Sequence, residues 1–121
     1  MTAGHTITIK PTDAHVEVRV GGELLAQSDH ALRLEETGLP ARYYLPPADV
    51  RTDRLTATSF HTTCPFKGEA SYWSAEVGDQ THEGIVWGYE TPIEGATDIA
   101  GYLSFPPDRA EITVDGTALA A

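Results

Sequence analysis

Between residues 62 and 73 the chain carries Thr62-Thr63-Cys64-Pro65-Phe66-Lys67-Gly68-Glu69-Ala70-Ser71-Tyr72-Trp73, a short run holding its one thiol, a cation, a turn glycine and three aromatic residues. A thiol close to an ammonium is a pattern for nucleophilic chemistry, because a neighbouring cation favours the thiolate, which is the reactive form. In that reading Cys64 is the catalytic residue, His61 stands upstream as a base, and Glu35 orients a cation or a substrate. The same residue types also suit a site that performs no reaction. Arg42 and Lys67 would hold a carboxylate or phosphate, and Tyr44, Tyr72, Trp73 and Trp87 would supply stacking and apolar surface. A third reading is structural or a protein-interaction role, with Cys64 a small buried hydrophobe, Lys67 paired to Glu69 or Glu35, and the aromatics filling a core. Small-molecule binding uses every unusual side chain of the block and is the leading expectation. Thiol catalysis is the alternative, weakened because no second cysteine can resolve an oxidised Cys64.

These residues must be positioned by strands. Thr-Ile-Thr-Ile before Lys10 alternates, as do Val16, Val18 and Val20, and Gly21-Gly22 then turns a hairpin into Glu23-Leu24-Leu25-Ala26. Leu32 and Leu34 continue the pattern until Thr37-Gly38-Leu39-Pro40 breaks it. Over residues 41–45 the period of two sends Arg42 and Tyr44 to one face, Tyr43 and Leu45 to the other. Pro46-Pro47-Ala48-Asp49 predicts a short helical turn with Asp49 capping backbone amides.

A strand over residues 55–60 leads into an expected ordered loop at Cys64–Lys67, where Pro removes a donor and Gly admits positive φ. Trp73 and Trp87 then fall on consecutive strands of a hairpin as expected neighbours, with Ile85, Trp87 and Tyr89 sharing a face. Residues 93–100 are the one stretch for a short helix, weakened by Gly95 and Thr97. The segments at Glu17 and Glu111 echo each other weakly, as two hairpins sharing one turn chemistry would.

The expectation is an all-β domain of about eight short strands with at most one short helix, in a two-sheet or partly closed barrel arrangement. A chain of 121 residues fits a single domain, 1–121. Its formal charge of −10 opposes nucleic acid or anionic lipid as partners, and no apolar run is long enough for a membrane span. The single cysteine forms no internal disulfide, and the first residues lack a secretory pattern, so the expected setting is the reducing cytoplasm. Cys-x-x-Cys pairs are absent and the five histidines lack ligand spacing, so neither metal nor other cofactor is expected. The expected partner is an unidentified small molecule; an exposed strand edge would offer a contact for a homodimer.

Several blocks together resemble one family: Ala26-x-Ser28, Leu34-Glu35, Arg42-Tyr43-Tyr44-x-Pro46-x-x-Asp49-Val50, Thr63-Cys64-Pro65-x-Lys67-Gly68-x-Ala70-x-Tyr72-Trp73, Trp87-x-Tyr89-x-x-Pro92 and Ile99-Ala100-Gly101-x-x-x-Phe105. They resemble the family known as domain of unknown function 427 (DUF427), from about residue 5 to residue 116. The resemblance implies a β-tent-like fold, two antiparallel sheets at a steep angle, as in methionine-R-sulfoxide reductases and the ligand-binding domain of cereblon. Those relatives bind small ligands between their sheets and hold zinc through cysteine pairs that this chain lacks. The family has also been likened to nucleotidyltransferases, but the chain has no Gly-Ser with paired aspartates and no P-loop. The resemblance therefore implies a fold and brings no reaction.

Overall fold

A computed structural model describes residues 6–119. Among the described residues eleven strands, rather than about eight, form three antiparallel sheets instead of two. The first sheet has the order β1-β4-β5, with β1 Ile7–Pro11, β4 Leu32–Glu36 and β5 Arg42–Tyr44. The second has the order β11-β10-β2-β3, with β2 Val16–Val20, β3 Glu23–Ser28, β10 Glu111–Val114 and β11 Thr117–Ala118. The third, order β6-β7-β8-β9, holds the longest strands: β6 Leu55–Cys64, β7 Gly68–Val77 and β8 Gln80–Gly88, with β9 Leu103–Ser104 at its edge. The additional strands include the two-residue ribbon β11, too short for alternation to register in sequence, while β9 lies where the alternation of Leu103 and Phe105 predicts a strand.

Local chemistry explains the hairpins. Gly21 and Gly22 both take positive φ, 58° and 83°, as the two-residue turn between β2 and β3 requires. Asp115 and Gly116 repeat this at 50° and 81° between β10 and β11, so the two echoing segments are hairpins joined side by side through β2 and β10. Residues 93–100 form no α-helix; only a 3-10 turn, Thr97–Ile99, appears there, after Gly95 at positive φ. The expected turn after Pro46 is the 3-10 helix Pro47–Asp49, but Asp49 does not cap it. Its carboxylate instead accepts a 2.6 Å hydrogen bond from the Ser28 hydroxyl, tying the turn to β3. Among the described residues, no helix is long and apolar enough to cross a membrane.

Two buried clusters result. One joins Val16, Val18, Val20, Leu25 and Ile112 of the second sheet to Ala75, Ile85 and Val86 of the third, with Phe105 among them. The other joins Leu34 and Tyr44 of the first sheet to Ala70 of the third, with Tyr89 and Ile99. A reciprocal pair of backbone hydrogen bonds between Leu45 and Leu103, 2.8 and 2.9 Å, ties the end of β5 to β9. The first and third sheets are thereby held together beside the second cluster, leaving one side of it open to solvent.

Candidate functional site

That opening is a cavity of 470 Å3. Tyr44, Tyr72, Trp87 and Tyr89 form its aromatic walls; Arg42, Lys67 and Arg109 bring cations, Glu36 and Asp108 carboxylates, and Leu34, Leu39, Pro40 and Pro106 apolar surface. The volume lies within the range of small-molecule sites, about 300–1,000 Å3.

Lys67 is delivered by the turn between β6 and β7. The expected loop is shorter than the motif suggests: β6 stays regular through His61, Thr62, Thr63 and Cys64, and only residues 65–67 turn. The Lys67 amide donates to the Cys64 carbonyl at 3.2 Å, and the Lys67 carbonyl accepts from the Ile93 amide at 3.0 Å. Gly68 follows at φ 112°, where an added Cβ would lie 3.3 Å from the Ile93 backbone nitrogen. Glycine thus lets the strand begin against the 92–93 segment and fixes Lys67 over the cavity.

The Lys67 ammonium donates to Glu36 Oε1 at 2.9 Å, with side-chain exposures of 13% and 7%. It also stands 5.9 Å above the centre of the Tyr89 ring, within reach of a cation–π attraction. Burial disfavours the ammonium, but the Glu36 hydrogen bond and the surrounding negative potential outweigh it, and the Lys67 pKa is raised. Lys67 is therefore a fixed positive charge rather than a neutral amine nucleophile.

The aromatic walls are ordered as well. The Trp87 indole N–H donates to the Tyr44 hydroxyl at 3.1 Å, and the two rings meet edge to face, centroids 6.4 Å apart at 88°. Tyr44 and Tyr89 lie 6.5 Å apart at 46°. Burial pushes the pKa of both phenols upward, so both remain hydroxyls able to donate and accept at neutral pH.

The site gathers Arg42, Tyr44, Lys67, Tyr72 and Trp87 but not every candidate. Glu35 lies on the other face of β4: the period of two that turns Leu32, Leu34 and Glu36 toward the cluster turns Glu35 away with Arg33, 3.7 Å from it. Glu36 occupies the role expected of Glu35, and Lys67 pairs with it rather than with Glu69.

Trp73 and Trp87 are not neighbours on one face. Register places Tyr72 opposite Trp87 and Trp73 opposite Val86, so Trp73 packs against the aliphatic cluster. There it lines a different cavity, of 430 Å3, with Leu55, Gly88, Tyr102 and Leu103. Between Trp73 and Ala75 the ladder is irregular, and Ile85 joins Val86 in that same cluster instead of sharing a face with Trp87 and Tyr89. Cys64 is half-buried against the aromatic cluster and is not among the residues lining the 470 Å3 cavity. Nor is His61, which approaches Ser71 and Glu69 on the exposed strand.

Tyr89 lines the cavity beside Trp87, as its spacing of two in the Trp87-x-Tyr89 motif suggests, whereas Glu36 and Arg109 are lining residues that motif reading missed. Glu36 had a signal, its parity with Leu32 and Leu34. Arg109 had none, because only tertiary folding carries the 106–109 turn to the cavity. Among the described residues, no three His, Cys, Asp or Glu side chains cluster so as to hold a metal ion.

Comparison with curated proteins finds no match. A family model does match, over residues 8–116, a span that includes every residue lining the cavity. The chain belongs to the family described as domain of unknown function (DUF427).

Proposed function

We propose that this protein binds a small ligand combining an anionic group with a planar ring, in the cavity between the first and third sheets. The observation that carries this reading is the charge arrangement. In a chain of formal charge −10, three cations converge on one aromatic-walled cavity, and among the described residues only Lys67 is ion-paired there. Among the described residues, the Arg42 guanidinium bonds only to the Ala41 carbonyl, at 3.3 Å, and Arg109 has no carboxylate partner. Unneutralised guanidinium groups beside a pocket are suited to a carboxylate or phosphate, which they grip in a bidentate fork. Trp87 and Tyr72 provide the faces on which a ring would stack.

The test is thermal unfolding of wild type, Arg42→Gln and Cys64→Ala against a panel of nucleotides, sugar phosphates, carboxylates and aromatic metabolites. A ligand present at about 100 times its dissociation constant adds about 2.7 kcal/mol of stability. An anionic aromatic compound should stabilise wild type and Cys64→Ala alike, and stabilise Arg42→Gln much less. A response confined to neutral or cationic compounds would overturn the reading. A ligand converted chemically by wild type but not by Cys64→Ala would establish the thiol enzyme instead.

A further inference from the structure

The aromatic cavity does not end at Tyr72. Tyr72, Gly84 and Arg109 also line a second cavity, of 480 Å3, whose other walls are Thr58, Phe60, Ser74 and Glu83. The two are one groove with a shared waist. At that waist Gly84 has no side chain, and a Cβ built there would meet nothing within 4 Å, so space is open beside the backbone that the two cavities share. Tyr72 is held in place by a 2.8 Å hydrogen bond between its hydroxyl and Thr62 Oγ1. Phe60, 60% exposed, packs on it with centroids 5.0 Å apart. An exposed phenylalanine supported by a tyrosine at the mouth of a cavity is a ready stacking platform.

We propose, building on the binding function above, that the groove takes a ligand of two planar heterocycles joined through a phosphate bridge. One ring lies against Trp87 in the inner cavity and the other on Phe60–Tyr72 in the outer. Arg109, at the waist and without a carboxylate partner among the described residues, meets the bridge. The position of this cation selects the linker chemistry. A carboxylate terminates a molecule, whereas a phosphate remains anionic while bonded on both sides, as a charge between two rings must be. Glu83 in the outer cavity selects the end group: its carboxylate repels a second anionic terminus and accepts from a ring bearing N–H donors.

The experiment is isothermal titration of wild type, Phe60→Ala and Phe60→Trp with AMP and with diadenosine triphosphate. AMP fills the inner cavity alone, while the dinucleotide spans both. Diadenosine triphosphate should bind wild type about tenfold tighter than AMP, the size of one base–aromatic stack. Phe60→Ala should erase that gain while leaving AMP affinity unchanged, and Phe60→Trp should keep it. Equal affinities for the two probes, or a gain that survives Phe60→Ala, would overturn the two-ring ligand while leaving the single-ring reading intact. Failure of both nucleotides to bind would overturn the inference as well, and the panel above would then judge the broader reading separately.

Discussion

The two buried clusters of this protein share strands β5, β7 and β8 and differ in almost every chemical respect. The aliphatic cluster holds Val16, Val18, Val20, Leu25, Ile85 and Phe105, side chains with no hydrogen-bonding groups. The aromatic cluster holds phenols, an indole and, at its margin, a buried ion pair. Neighbouring residues divide between them: on β5, Tyr43 packs with the first cluster and Tyr44 with the second; on β7, Trp73 goes to the first and Tyr72 to the second. Alternation along a strand thus lets one set of backbone ladders present aliphatic side chains on one face and polar aromatic ones on the other. The aliphatic face gains free energy by removing apolar surface from water, while the aromatic face gives up part of that gain to keep polar groups at a wall that solvent reaches.

The largest separation between the two should come from Phe105→Ala. This removes a fully buried ring from the aliphatic cluster and should cost about 3–5 kcal/mol in chemical denaturation, enough to consume much of a small domain's stability. A loss under about 1 kcal/mol would mean that the aliphatic face is not the principal source of stability.

Next in size is Glu36→Ala, which leaves the Lys67 ammonium in its half-buried position without the carboxylate 2.9 Å away and should cost about 3 kcal/mol. The double variant Glu36→Leu/Lys67→Met should recover to within about 1 kcal/mol of wild type, because apolar isosteres remove both desolvation penalties at once. Any anionic ligand should nevertheless bind this recovered protein more weakly, since a fixed cation is gone. Stability without affinity would sharpen the contrast between the faces; recovery of both would break it.

The two tryptophans offer a smaller and more direct comparison. Trp87→Phe removes the indole N–H that donates to Tyr44 and should cost about 1 kcal/mol for that hydrogen bond, whereas Trp73→Phe, on the opposite face, breaks no side-chain hydrogen bond among the described residues. Binding of an anionic aromatic ligand should quench tryptophan fluorescence in wild type and Trp73→Phe, and leave Trp87→Phe unchanged. Quenching lost in Trp73→Phe alone would move the ligand to the 430 Å3 cavity on the aliphatic side.

Much of this division was legible in the chain, and where it was not the cause is register. The Gly21-Gly22 hairpin and the parting of Arg42 and Tyr44 from Tyr43 and Leu45 follow from turn chemistry and a period of two. Which of Glu35 and Glu36 faces Lys67 depends on the same period, but motif likeness drew attention to the wrong neighbour. The Trp73–Trp87 relation depends on how β7 and β8 slide past each other. A shift of one residue reverses faces, and the irregular ladder around Ser74 sets that shift. Ser74 Oγ accepts from the Gly84 amide at 3.1 Å, and Gly84 takes φ 60°, a local arrangement that no alternation of hydrophobic residues encodes. Arg109 was beyond sequence reasoning altogether, because its approach depends on the final placement of the 106–109 turn.

The smallest expected effect lies outside both clusters and tests whether charge matters to stability away from the cavity. His15, just before β2, has its Nδ1 2.7 Å from Asp29 Oδ1 and its Nε2 3.0 Å from Glu17 Oε2, while its backbone N–H donates to Asp115 at 2.8 Å. Hydrogen bonds to Asp29 and then Glu17 raise its pKa above the ordinary histidine value of 6.5. Since the folded pKa is the higher one, the stabilisation is complete below the unfolded value and disappears as pH rises through the folded value. His15→Gln should therefore lower the unfolding temperature slightly at about pH 5.5, and the difference from wild type should shrink toward about pH 8.5. The imidazole is partly exposed, so added salt should also shrink the acid-side difference. A difference that grew with pH would mean that the neutral ring, not the ion pair, is the favoured partner of these carboxylates. A difference independent of both pH and salt would assign His15 a packing role like that of its neighbour Val16, and would leave the cavity as the place where charge governs this fold.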